Sequence, residues 1–227
     1  PLCCSIYAMI CSISSQPVQI GDLMALSSSQ LRIHRAALRL FAERGSADIT
    51  VRDLAEAAGV ARGTIYNNQL NPDTLFEDIA SQLSTEMNAR IIKSFGDETD
   101  SAVRLAQGVR MYIRRAHEEP DWGKFICRFA FSSKSMGDLW TGADSPMPDV
   151  LTGLQRERYH FRPEQLMSVM SVIAGSVLTS IFLVLEGHRT WRDAGSDTAE
   201  LLLRALGLDP HEAEQLARAE LPLLPEL

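Results

Sequence analysis

TVRDLAEAAGVARGTIYNNQL, residues 50–70, holds two short helical patterns on either side of a glycine. Thr50 offers a hydroxyl to cap a helix, and Asp53 three residues on closes a reciprocal capping box, so a helix is expected from Val51. Val51, Leu54, Ala55 and Ala58 then share one apolar face. Gly59 can take a positive φ without a Cβ clash, which ends that helix and turns Val60 inward. A second helix is expected over 61–68. Ile65 points back from it, and Ala55 is small enough for the two helices to cross closely.

Two helices joined by a glycine turn form the helix-turn-helix arrangement that places its second helix in the DNA major groove. The outward face of that helix is Ala61, Arg62, Thr64, Tyr66, Asn67 and Asn68, with Gly63 among them and Thr50 and Arg52 beside them. Arginine bridges guanine O6 and N7, asparagine pairs with adenine, and Thr or Tyr holds phosphate. These nine residues are the candidate DNA contacts. A helical hairpin of no special function has the same local pattern.

Upstream, Ile33, Ala36, Ala37, Leu40 and Phe41 make one face of a helix over 31–44, opposite Arg32, Arg35, Arg39 and Glu43. Three helices then pack around Ile33, Leu40, Phe41, Leu54, Ala55 and Ile65. Of the net charge of -7, residues 31–70 carry +2, six arginines against four acids, and the remainder -9. A basic head on an acidic body suits a protein that touches polyanions with one part only. Residues 1–27 have no helical or strand period and only Asp22 as a charge, so they read as an extension outside the fold. A secretory signal is the rival there, but no basic residue precedes the apolar run 2–13. Cys3, Cys4, Cys11 and Cys127 give neither a zinc spacing nor a disulfide framework, which points to a reducing, cytoplasmic setting.

The segment LRIHRAALRLFAERGSADITVRDLAEAAGVARGTIYNNQLNPDTLFEDIA, 31–80, resembles the amino-terminal domain of the tetracycline-repressor family of bacterial transcriptional regulators, most closely in ALRLFAERG, VRDLAEAAGV and RGTIY. The resemblance implies an all-α homodimer. Its helix-turn-helix DNA-binding domain (28–73) would be joined to a helical ligand-binding and dimerisation domain (74–227) that releases DNA when a small molecule binds. Three positions depart from the family pattern. Gln69 stands where Phe is usual and Pro72 where Lys meets a phosphate. Ala61 replaces a capping Ser or Thr, a loss of about 1 kcal/mol. These departures weaken DNA contact without abolishing it.

The rest reads as helices over 74–95, 102–117, 121–131, 166–185, 198–206 and 210–219, with a loop over 132–148. The stretch LMSVMSVIAGSVLTSIFLVL, 166–185, carries no charge over twenty residues and is long enough to cross a bilayer. Its five hydroxyl residues and the stripe of Ser168, Ser171, Gly175 and Thr179 fit a helix packed in protein instead, so no membrane partner is expected.

Trp122, Phe125, Phe129, Met136, Trp140, Met167, Met170 and Phe182 are the candidate ligand contacts, lining a cavity for an apolar or aromatic effector. Aromatic and Met residues at helical spacing are as often simply core. By position in the family, the last long helices form the dimer interface, with Leu178, Ile181, Leu201, Leu202 and Ala205 as candidates. No phosphate loop, H-E-x-x-H or G-x-S-x-G motif is present. The five histidines are scattered; His34 is expected to face solvent or phosphate. Catalysis, metal and cofactor are therefore not expected. A helical ligand-binding or interaction protein with a degenerate DNA-reading head is the alternative to a ligand-responsive repressor.

Overall fold

A computed structural model of the chain describes residues 27–44, 49–67, 75–130 and 145–226. Ten α-helices and no strand occur among them. The head is α1 (Ser28–Arg44), α2 (Val51–Ala58) and α3 (Arg62–Asn67). Ile33, Leu40, Leu54, Ala55 and Ile65 are buried between them, so the apolar spacing does what its period predicts. The body is α4 (Leu75–Phe95), α5 (Ser101–Glu118), α6 (Pro120–Phe129), α7 (Met147–Gln155), α8 (Leu166–Leu185), α9 (Trp191–Ala205) and α10 (Pro210–Arg218). Helix α5 is its axis: α4, α6, α7, α8, α9 and α10 all pack on it.

Several boundaries differ from those expected, each for a local reason. Asp100 caps α5 by accepting from the Ala102 N–H at 2.7 Å, so that helix begins at Ser101. Asp121 does not cap α6; it lies in the first turn behind Pro120, whose missing N–H suits the helix start. Helix α7 has no counterpart among the expected helices. It occupies the end of the expected loop and continues past it, and like α6 it carries Pro in the first turn, with Asp149 alongside. Helix α9 starts seven residues before 198, because the Thr190 hydroxyl accepts from the Asp193 N–H at 3.1 Å. The residues 1–26, Gly45, Asn68, Gln69, Asn71, Pro72 and Thr74 lie outside the described residues, as do Met136 and Trp140 in 131–144.

Trp122 sits at the centre of the body, fully buried, with the Tyr112 ring 5.9 Å away and the Arg115 guanidinium 4.6 Å above its face. That guanidinium is itself buried, and it is compensated by Glu86 at 2.5 Å and Glu119 at 3.2 Å. A buried charge is tolerated only when so paired. Residues 158–160 staple the far end. Arg158 bridges Asp100 at 3.0 Å and Glu212 at 2.7 Å, the Tyr159 hydroxyl donates to the Ser101 carbonyl at 2.8 Å, and the His160 N–H donates to the Leu206 carbonyl at 2.7 Å. After α10 the chain crosses back over α5 and α4. The carbonyls of Ala219, Pro225 and Glu226 accept from Arg110, Arg90 and Lys93, and Leu221 and Leu224 rest on the core.

Helix α7 meets Tyr159 through Gly153. A Cβ there would lie 2.2 Å from two ring carbons of Tyr159 and 2.8 Å from the Ser101 hydroxyl, and Tyr159 is fully buried. Gly153→Ala is therefore expected to destabilise the protein by about 1–3 kcal/mol, which thermal unfolding followed by circular dichroism would register as a fall of roughly 3–10 °C in Tm.

Candidate nucleic-acid interface and ligand cavity

The turn between α2 and α3 is built as its residues dictate. At the start of α2, the Asp53 N–H donates to the Thr50 hydroxyl oxygen at 3.2 Å, while the Thr50 N–H and hydroxyl donate to the Asp53 carboxylate at 2.9 and 2.6 Å. Those two donations, with Arg44 at 3.4 Å, hold the Asp53 carboxyl down at about 2. At the far end Gly59 is left-handed, φ 62° and ψ 39°. Its N–H reaches the Glu56 carbonyl at 3.1 Å and that of Val60 reaches Ala55 at 3.0 Å, the paired bonds of a Schellman cap. Two arginines of α1 finish the carbonyl end of α2: Arg39 donates to Ala57 at 3.2 Å and Arg32 to Gly59 at 3.5 Å. Cations at that pole also oppose the helix dipole.

Eight of the nine candidate DNA contacts lie among the described residues. Ile65 is fully buried, and around it Ala61, Arg62, Gly63, Tyr66 and Asn67 are exposed and Thr64 is half-buried, Tyr66 to 52%. Thr50 and Arg52 are exposed at the adjoining start of α2. Asn68 is outside the described residues. Ala61 stands just before α3 and offers no side-chain cap; its carbonyl accepts from the Thr64 N–H at 2.9 Å.

Among the described residues, two side chains of α1 reach the body in ways the sequence did not show. Phe41, expected in the head's own core, is half-buried and lies against α6, its centroid 5.4 Å from those of both Phe125 and Phe129 in edge-on geometry. His34, expected in solvent or on phosphate, is instead buried against α4, its Nε2 2.7 Å from the Gln82 Oε1. A helix built on period 3.6 with two apolar faces buries one inward and the other on its neighbour, and His34 lies on the second. Burial lowers the His34 pKa, against the smaller opposing effects of Gln82 and Glu86.

The body holds an apolar cavity open to solvent, bounded by α4, α5, α6, α7 and α8. Its walls are Ile91, Phe95, Leu105, Val109, Ile126, Met170, Ile173 and Val177, with Gly108 and Ala174 leaving room. The polar groups are few. The Tyr112 hydroxyl donates to Asn88 Oδ1 at 2.6 Å, and Arg104 meets Asp149 at 2.9 Å near Ser145. Of the eight candidate ligand residues, Met170 is in this wall. Trp122 and Phe125 are fully buried packing residues, and Phe129 faces Phe41. Met167 and Phe182 do not line it; they are exposed on α8, 57% and 53%. The wall is made of medium-sized aliphatic residues at helical spacing, a pattern that any core helix shares, so sequence carried no signal for it.

That outer face of α8 joins an exposed strip of α9. Val172, Leu201 and Ala205 are open to solvent beside a shallow groove of Ser171, Gly175 and Thr179. Among the candidate interface residues Ile181 and Leu202 are buried in the chain's own core, and Leu178 is half-buried at the cavity. Helix α8 is long and apolar enough to cross a membrane by length and composition, and one third of its most apolar window is buried within the chain. The described residues hold no group of three or more His, Cys, Asp or Glu side chains arranged for a metal ion.

Sequence and structure comparisons agree with this layout. The family described as "Bacterial regulatory proteins, tetR family" matches residues 33–68, and "Tetracyclin repressor-like, C-terminal domain" matches 100–219. No curated protein matches the chain significantly. A crystal structure of RolR in complex with resorcinol is 25% identical, covering 87% of this chain and 96% of that one with a TM-score of 0.66. The fatty acid degradation regulator FadR of Bacillus halodurans is 20% identical over 78% of this chain and 98% of its own, TM-score 0.66. FadR of Bacillus subtilis, solved with stearoyl-CoA, is 17% identical over 76% and 97%, TM-score 0.64. The two FadR likenesses speak to the fold alone.

His34 sets a pH dependence whose sign is fixed. Its folded pKa lies below the ordinary value of about 6.5, so as pH falls the unfolded chain takes a proton that the folded chain refuses. The stability it allows is whole above pH 6.5 and shrinks as pH falls below it, by at most about 1.4 kcal/mol per pH unit. Denaturant titrations between pH 7.5 and 5 should show this decline, and His34→Gln should remove that part of the slope.

Proposed function

The chain belongs to the tetracycline-repressor family of bacterial regulators, and from that premise we propose that it is a ligand-responsive transcriptional repressor. It reads a near-palindromic operator as a homodimer and leaves it when a small apolar or aromatic effector occupies the cavity. The observation that carries this reading is the shared use of two helices. Helix α4 gives Asn88, Ile91 and Phe95 to the cavity and Gln82 to His34; α6 gives Ile126 to the cavity and Phe125 and Phe129 to Phe41. A molecule that alters the spacing of these helices alters the seat of the reading head. Its leverage equals its differential affinity for the two arrangements.

Each DNA contact has a role under this reading. Arg62 reads a base edge, Thr64, Asn67 and Asn68 add hydrogen bonds, and Tyr66, Thr50 and Arg52 hold phosphates, while Ala61 and Gly63 let the backbone come close. The dimer forms through the exposed face of α8 and α9, where Val172, Phe182, Leu201 and Ala205 would otherwise face water. A two-fold pair through these helices sets the two heads on half-sites of one operator. Residues 28–73 then act as the DNA-binding domain and 74–227 as the effector and dimer domain, in the cytoplasm. RolR, a structural neighbour, was solved with resorcinol, a small aromatic molecule of the kind proposed here.

Gln69 and Pro72 favour the second reading, a ligand-binding protein whose head no longer recognises DNA. The two readings separate on DNA selected from a random-sequence pool. Arg62→Ala should weaken the selected site by roughly 5–150-fold and relax its base preference, and Tyr66→Phe should weaken it by about fivefold. Sedimentation of both variants should match that of the parent chain. A pool that yields no enriched sequence supports the degenerate head.

A further inference from the structure

We infer that the cavity selects a neutral hydrocarbon bearing a hydroxyl group, held by Tyr112 and Asn88 together, and rejects carboxylates. The inference rests on the effector reading of this cavity and names the class of guest. The Tyr112 hydroxyl spends its proton on Asn88 Oδ1 at 2.6 Å. The phenolic oxygen keeps its lone pairs, and the Asn88 amide keeps its N–H donors. A ligand hydroxyl donates to the first and accepts from the second at once. An ether or ketone can only accept, and a hydrocarbon leaves both unanswered in an apolar wall.

Charge argues the same way. The charged side chains in the described wall are Arg104 and Asp149, and they compensate each other at 2.9 Å. Arg104 is committed further: its Nη1 donates to the Glu98 carbonyl at 3.3 Å and its guanidinium lies 4.4 Å above the Phe95 ring. A carboxylate entering here would give up its hydration, meet the Asp149 carboxylate and find that cation already engaged. Burial also raises the Tyr112 pKa, which keeps the phenol protonated and neutral.

Phenol, toluene and benzoate share one ring and differ only in the group at issue. Calorimetric titration of the full chain at pH 7 with each is expected to show phenol binding about tenfold more tightly than toluene or more, and benzoate weaker than either. Tyr112→Phe and Asn88→Leu should each cost phenol about tenfold and leave toluene within about twofold. Should either variant fail to fold, the three titrations of the parent chain decide alone. Equal affinity for phenol and toluene, or preference for benzoate, overturns hydroxyl selection and leaves the cavity reading standing. No binding of any of the three overturns the cavity reading and this inference with it.

Discussion

Phe41 lying edge-on against Phe125 and Phe129 is the contact on which the rest of the structure depends. An aromatic pair of this kind contributes about 0.5–1.5 kcal/mol beyond the area it buries, so two such pairs fix the head without locking it. The buried His34 to Gln82 contact adds a second point, on a different helix. The same two body helices, α4 and α6, also wall the cavity.

The head was legible because its information is local. Thr50, Asp53 and Gly59 each fix a hydrogen bond or a dihedral within a few residues, and the structure shows each one made. The cavity was not legible, because it is what remains when five helices pack. Trp122 and Phe125 drew attention by size, and size is why they fill the centre and leave no space beside them. The wall belongs to residues such as Ile126, Ile173 and Ala174, and Gly108 leaves room by having no side chain. Phe41 shows the same limit: its spacing is right for the head's core, and only the position of α6 reveals a second neighbour. Thr190 and Asp193 repeat the cap spacing of Thr50 and Asp53, so the true start of α9 was readable there.

The charge pattern also has two layers. Arg32 and Arg39 close the carbonyl end of α2 and Arg44 faces Asp53, so half of the head's arginines support its fold. Arg52 and Arg62 are exposed. A net acidic body repels a polyanion, which favours approach by the head.

The most direct test of a DNA reader is a fluorescence-anisotropy titration of the purified chain against the DNA flanking its own gene, with a scrambled duplex beside it and salt varied. Saturable binding to the flanking DNA is expected, tighter than to the scrambled duplex and weakening linearly in log Kd against log salt as phosphate contacts release counterions. Binding to both duplexes with the same affinity and the same salt slope would contradict the DNA-reading role.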